Sequence, residues 1–309
     1  MNKPSLHSLC RLAAWREIKT PFLLALSLII SLNIAPKTTS TEQPPIITQQ
    51  QQNEQQKDFQ QLINYAATHQ LNNKSMGQIM QAIAHQLLGS QYKAGLLEQT
   101  PEESLFISLK QFDCLLFVET VLALSRNIAQ QDYTYPTFTH HIQDTRYRQG
   151  KLDGYCSRLH YFSEWIEDNQ KRGNIQNITA SLGGIPLKKT LNFMSTHRQA
   201  YRQLKSHTNY ECILQVEKNL ESLKIRYIPQ PQIRQIYNQL QPGDIIGVAT
   251  NLSGLDVTHT GLVYRFPNGK IGFIHASPAG QVTIAADLQQ YIKNVNHAVG
   301  IIVARPLKN

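Results

Sequence analysis

The hydrophobic period of the chain changes part-way along, and that change restricts the fold more than any other feature. Up to residue 171, apolar side chains recur at helical spacing; from Pro242 onward they alternate as in strands. Residues 75–88 place Met76, Ile79, Met80, Ile83, Ala84 and Leu87 on one side, with Gly89 as a stop. Helices are also predicted from residue 114 to 129 and from 137 to 147, with a break at 133–136. Another spans 157–171, where Leu159, Phe162, Trp165 and Ile166 form a stripe with Tyr161 at its margin. Residues 173–232 hold polar helix pieces, a turn at Gly183-Gly184 and a short strand at 226–228. After a turn at 241–244, strands are predicted at 245–249, 257–266, 270–276, 281–284 and 298–304, with a short helix at 287–292. Helices first and strands last point to an α+β domain, helices packed on a mostly antiparallel C-terminal sheet.

The N-terminus reads differently. Lys3, Arg11, Arg16 and Lys19 precede an almost wholly apolar run at 22–34. A comfortable transmembrane helix needs about 20 apolar residues, and the run fits a signal peptide better. Ala35 precedes Pro36, a poor cleavage site, so residues 1–40 are expected to be a signal peptide or an uncleaved membrane anchor. Residues 41–58 are Gln-rich and predict a disordered tether, leaving 59–309 as the folded domain. The expected location is periplasmic or otherwise extracytoplasmic. The net charge of +9 suits an acidic partner such as a membrane surface or an anionic polymer. Without a dense Lys/Arg block or a recognisable binding motif, nucleic acid is the weakest of the partners considered.

Asp113 is a good helix cap and puts Cys114 in the first turn, ahead of an apolar stripe of Leu115, Val118, Leu122 and Ser125. Unpaired backbone N–H groups and the helix dipole favour a thiolate there. A cysteine on an apolar helix is equally familiar as a core residue. The chain has four cysteines. If Cys10 leaves with the leader, Cys114, Cys156 and Cys212 remain, and an odd number leaves a thiol over. Cys156 and Cys212 can bridge if the fold brings them close.

A thiolate that attacks an acyl carbon needs a base, usually histidine. Of the eleven histidines, His259 and His275 fall on predicted neighbouring strands. An odd-length loop between those strands puts both rings on one face, opposite or one pair offset; a two-residue Asn268-Gly269 turn separates them. Gly261 leaves room beside His259. Arg158, His160 and Tyr161 are candidates to face a ligand. There is no H-E-x-x-H or C-x-x-C pattern, so neither a metal nor another cofactor is expected.

The segments FDCLLFVET, THTGLVYR and FIHAS, in that order, resemble the NlpC-like peptidoglycan hydrolases, which are papain-like cysteine amidases and peptidases. Within them, GSQYKAGLLE before the cysteine and RLHYFSEWI after it are similar to the N-acetylmuramoyl-L-alanine amidase-like family. The resemblance covers residues 80–305 and implies a papain-like fold with Cys114 as nucleophile, His259 as general base and His275 orienting the imidazole. It matches Tyr92 to a tyrosine bordering the nucleophile, and Glu98 and Arg158 to further family positions. Together with Tyr161 these are the candidates for substrate binding or the oxyanion. The implied partner is a peptidoglycan stem peptide or muropeptide, and the implied cut is between N-acetylmuramic acid and L-alanine. A cut between D-glutamate and the diamino acid, or a non-catalytic wall-binding module, remains the alternative. More residues separate Cys114 from His259 than in compact members, so the groove is expected to differ.

Overall fold

The computed structural model describes residues 49–308, with side chains from residue 53. The segment expected to direct export lies outside the described residues; within them no helix is long and apolar enough to cross a membrane. In chain order the helices are α1 (Gln49–Thr68), α2 (Met76–Gln86), α3 (Cys114–Gln130), α4 (Tyr135–Arg146), α5 (Phe162–Lys171), α6 (Phe193–Thr196), α7 (His207–Asn219) and α8 (Leu288–Asn294). The strands are β1 (Gln91–Tyr92), β2 (Gln111–Phe112), β3 (Ile175–Asn177), β4 (Ile185–Pro186), β5 (Arg226–Pro229), β6 (Ile245–Thr250), β7 (Val257–Arg265), β8 (Ile271–Ala276), β9 (Val282–Ala285) and β10 (Ala298–Pro306). One antiparallel sheet runs β4-β5-β10-β6-β7-β8-β9, with β3 also on β10. β1 and β2 form a separate parallel pair. This is an α+β fold with helices on a mostly antiparallel sheet.

Most elements lie within two residues of their sequence-based bounds, because periodicity and caps act locally. Ser75 closes a capping box with Gln78 at the start of α2, and Gly89 adopts φ +81° just after it. Three segments differ from expectation. The Gln-rich stretch at 41–58 is not a tether throughout, because α1 begins at Gln49 and runs across the expected boundary at residue 59. Glutamine is a fair helix former, and the helix docks: Phe59, Leu62, Ile63 and Ala66 are buried, while the Gln55 amide donates to the Ile107 carbonyl (2.9 Å). In the predicted helix at 157–171, residues 158–161 are extended, and Leu159 N–H donates to the Arg146 carbonyl rather than starting a turn. Helix α3 is buried on nearly all sides instead of along one stripe; Leu115 is among its more exposed members. It is the central helix of the core, and Phe117, Val118, Val121, Leu122, Leu124 and Ile128 are each fully buried, at roughly 1.5–3 kcal/mol apiece.

Candidate active site

Cys114 starts α3. Asp113 caps it, its Oδ1 accepting from Leu115 N–H (3.0 Å) and Leu116 N–H (2.9 Å). Burial pushes the Asp113 carboxyl up to about 7, against the Leu116 N–H, which holds it down. Cys156 and Cys212 are bridged, with Cα atoms 6.2 Å apart. Cys114 is itself disulfide-bonded and only 1% exposed; the odd thiol was expected of a chain that has lost Cys10, which this one retains. Any nucleophilic role belongs to its reduced form.

The start of α3 is fastened to the sheet by short strands. β2 pairs with β1, Tyr92 beside Phe112. Gly89 N–H donates to the Val282 carbonyl, Val282 N–H to that of Ser90 and Tyr92 N–H to that of Gly280, which lays β1 along the edge strand β9. β9 in turn pairs Thr283 with His275 on β8. The chain thus steps from His275 through β9, β1 and β2 to Cys114. Further along, the helix packs over β7 and β8, sharing a core with Leu262, Ile274 and Ala276.

His259 and His275 meet. β7 ends at Arg265 and β8 begins at Ile271, so the connecting loop, 266–270, has an odd number of residues. The register pairs Leu262 with Ile274, which places His259 one same-face position from His275. Nε2 of His259 lies 2.7 Å from Nδ1 of His275. Both rings are buried. Burial lowers His259 to about 3, and burial followed by the neighbouring His259 holds His275 well below its usual value. At neutral pH both are uncharged, so one donates and the other accepts. Nδ1 of His259 is buried and has no hydrogen-bond partner among the described residues.

The N-acetylmuramoyl-L-alanine amidase-like family matches residues 82–301, most of the chain. The chain belongs to that family. A crystal structure of a Bacteroides uniformis N-acetylmuramoyl-L-alanine amidase is 32% identical, covers 75% of this chain and 99% of its own, and superposes with a TM-score of 0.71. A Bacteroides fragilis structure named as a candidate xylanase is 35% identical over 72% of this chain and 98% of its own (TM-score 0.64). A Legionella pneumophila protein at 21% identity covers 83% of this chain and 95% of its own (TM-score 0.63) and shares the fold. A search of proteins of curated function gives no match. The chain is therefore a member of an amidase-like peptidoglycan hydrolase family.

Three of the other expected site residues of this amidase-like chain, Glu98, Arg158 and Tyr161, line a cleft beside the start of α3, together with Asp113, Leu115, Tyr155 and Tyr201 among others. Arg158 is buried; it donates from Nη1 to Glu98 (2.8 Å) and from Nη2 to Glu103 (2.7 Å), and stacks over Tyr155. Burial works against its charge, and Glu103 and Glu98 more than compensate, raising its pKa. Tyr161 also lines the cleft, but its hydroxyl is engaged, donating to Glu217 (2.6 Å) and accepting from Met194 N–H (3.1 Å). His160 bonds the Tyr155 carbonyl, and burial takes it down to about 3. Tyr92 lies on β1, paired with Phe112 two residues before Cys114.

Sequence reasoning missed Glu103, the second partner of Arg158, and the aromatic surround of the two histidines. Phe273 stacks on His275 (4.9 Å between centroids), and Tyr291 of α8 lies 4.6 Å from His275 and 6.1 Å from His259. Phe273, two residues before His275, was legible from strand alternation. Tyr291 was not, since nothing local signals where α8 docks. The space beside Gly261 is taken by Phe273: a Cβ at Gly261 would fall 2.6 Å from its ring.

Proposed function

We propose that this chain is an exported, papain-like cysteine amidase that cuts the amide bond between N-acetylmuramic acid and L-alanine in peptidoglycan. The observation that carries the catalytic part is the buried His259–His275 hydrogen bond, which leaves Nδ1 of His259 buried and without a hydrogen-bond partner among the described residues. In the roles assigned, His259 holds its proton on Nε2 and donates it to His275, so Nδ1 presents a lone pair. Reduced Cys114 gives its proton to that nitrogen, and the thiolate attacks the amide carbonyl to form a C–S bond. The Cys114 backbone N–H at the helix start, with Tyr92 nearby, stabilises the oxyanion. His259 returns the proton to the leaving nitrogen, then activates water to hydrolyse the thioester. His275 orients the imidazole throughout. Burial alone makes His259 a weak base; an adjacent thiolate supplies the charge that an imidazolium needs.

The N-terminal basic and apolar pattern supports export, with or without a retained membrane tether, to a wall-facing compartment. The substrate partner is a muropeptide stem. Purified muropeptides digested under reducing conditions and read by mass spectrometry test the whole proposal. Release of intact stem peptide by the wild type, and none by Cys114→Ala, is the expected result. A dipeptide fragment would instead establish the D-glutamyl-diamino-acid endopeptidase cut. Equal activity in the Cys114→Ala variant would remove the cysteine mechanism altogether.

A further inference from the structure

The loop between β6 and β7 leads into the strand that carries His259, and its Leu255 lines the cleft. Carbonyls at the end of β6 and along this loop point to a single side chain. Three of them, from Thr250, Leu252 and Leu255, converge on one atom, Nζ of Lys189, at 2.5, 2.6 and 2.7 Å. An ammonium has three N–H donors and no acceptor, so the cage consumes its entire hydrogen-bonding capacity.

The same loop is pinned from its other side. The Gly254 carbonyl accepts from the N–H groups of Asn192 and Phe193, at the start of the short helix that brings Met194 to the cleft. Gly254 sits at φ +77°, and a Cβ there would fall 2.6 Å from Asn192 Oδ1. Beyond the loop, the buried Asp256 accepts from Ser163 N–H (2.6 Å) in the first turn of α5. Lys189 lies three residues before Asn192, so its bonds tie the loop to the segment that leads into α6. It lies far along the chain from either histidine, and its ammonium bonds three carbonyls rather than a ring. Burial lowers its pKa, with Asp256 opposing, as expected for a charge drawn in from solvent.

We propose that Lys189 is a positioning residue whose ammonium acts as an internal cation, filling a carbonyl cage that shapes the substrate cleft. The part played in catalysis rests on the amidase function proposed above; the cage itself does not. A planar guanidinium does not match three converging carbonyls, so arginine does not substitute. A small alkylammonium does, once the side chain is cut back.

The test is chemical rescue of Lys189→Ala with propylammonium, the part of the side chain that the substitution removes. The variant is expected to lose thermal stability and to show KM for muropeptide raised about tenfold, an affinity loss of about 1.4 kcal/mol, with kcat within about twofold. Propylammonium restores both Tm and KM; tetramethylammonium, which has no N–H donors, restores neither. Lys189→Met, of similar length but uncharged, behaves as the alanine variant does without rescue. Wild-type stability and KM in Lys189→Met, or a Tm of Lys189→Ala that ignores propylammonium, would overturn the cage. A rescued Tm with kcat rather than KM lost would overturn the positioning role. If the wild type cleaves no muropeptide, the functional assignment fails while the Tm rescue still decides the cage.

Discussion

Replacing His259 by glutamine makes the stability of this protein less sensitive to acid, by an amount that follows from its burial. The ring is fully buried and burial lowers its pKa to about 3. An unfolded histidine titrates near about 6.5. At pH 7 neither form is much protonated and His259 contributes almost nothing to the pH dependence. At pH 5 the unfolded ring is almost wholly protonated and the folded ring is still neutral, so protons bind the unfolded chain and stability falls as pH falls. Integrating the difference in bound protons gives on the order of 2 kcal/mol lost between pH 7 and pH 5 through this one residue. The variant has no ring to titrate. Costs of altered packing and of the changed bond to His275 are common to both pH values and cancel. Urea unfolding of wild type and His259→Gln at pH 7 and pH 5 measures the double difference. The variant should gain about 2 kcal/mol on the wild type as the pH drops. A change below about 0.5 kcal/mol, the usual limit of additivity, would mean that the ring is not held neutral in the fold, and the donor–acceptor roles given to the pair would fail with it.

Two further outcomes test the surroundings of the site. Arg158→Met leaves Glu98 and Glu103 without their shared cation, the Glu103 side chain being only 3% exposed, and should cost about 3–5 kcal/mol in urea unfolding; a loss under about 1 kcal/mol would place this cluster among ordinary surface ion pairs. Cys212→Ser opens a loop of 56 residues and should lower stability by about 4 kcal/mol on loop-entropy grounds, with an unshifted urea midpoint showing that the bridge is not formed in solution.

The parts of the molecule legible in the sequence are those whose causes are local. Asp113 caps α3 because a short acceptor side chain reaches the N–H groups two and three residues on wherever it stands. The hairpin of β7 and β8 follows from alternation, and the length of its loop sets the relation of His259 to His275. Those two facts and the position of Cys114 outline the candidate site before any tertiary structure is known. What composition cannot supply is docking. The glutamines of α1 gain their helix from Phe59, Leu62 and Ile63 buried against the rest of the chain, a gain that no count of polar residues registers. Residues 158–161 exchange a helical turn for an extended path because the Arg146 carbonyl and the two glutamates hold Leu159 and Arg158 there. Tyr291 reaches the histidines, and Lys189 its three carbonyls, only because distant elements pack side by side. Sequence by itself determined which local structures form and which groups can do chemistry. The tertiary structure decided which of those groups meet, because burial and long-range hydrogen bonding are properties of the assembled core rather than of any segment.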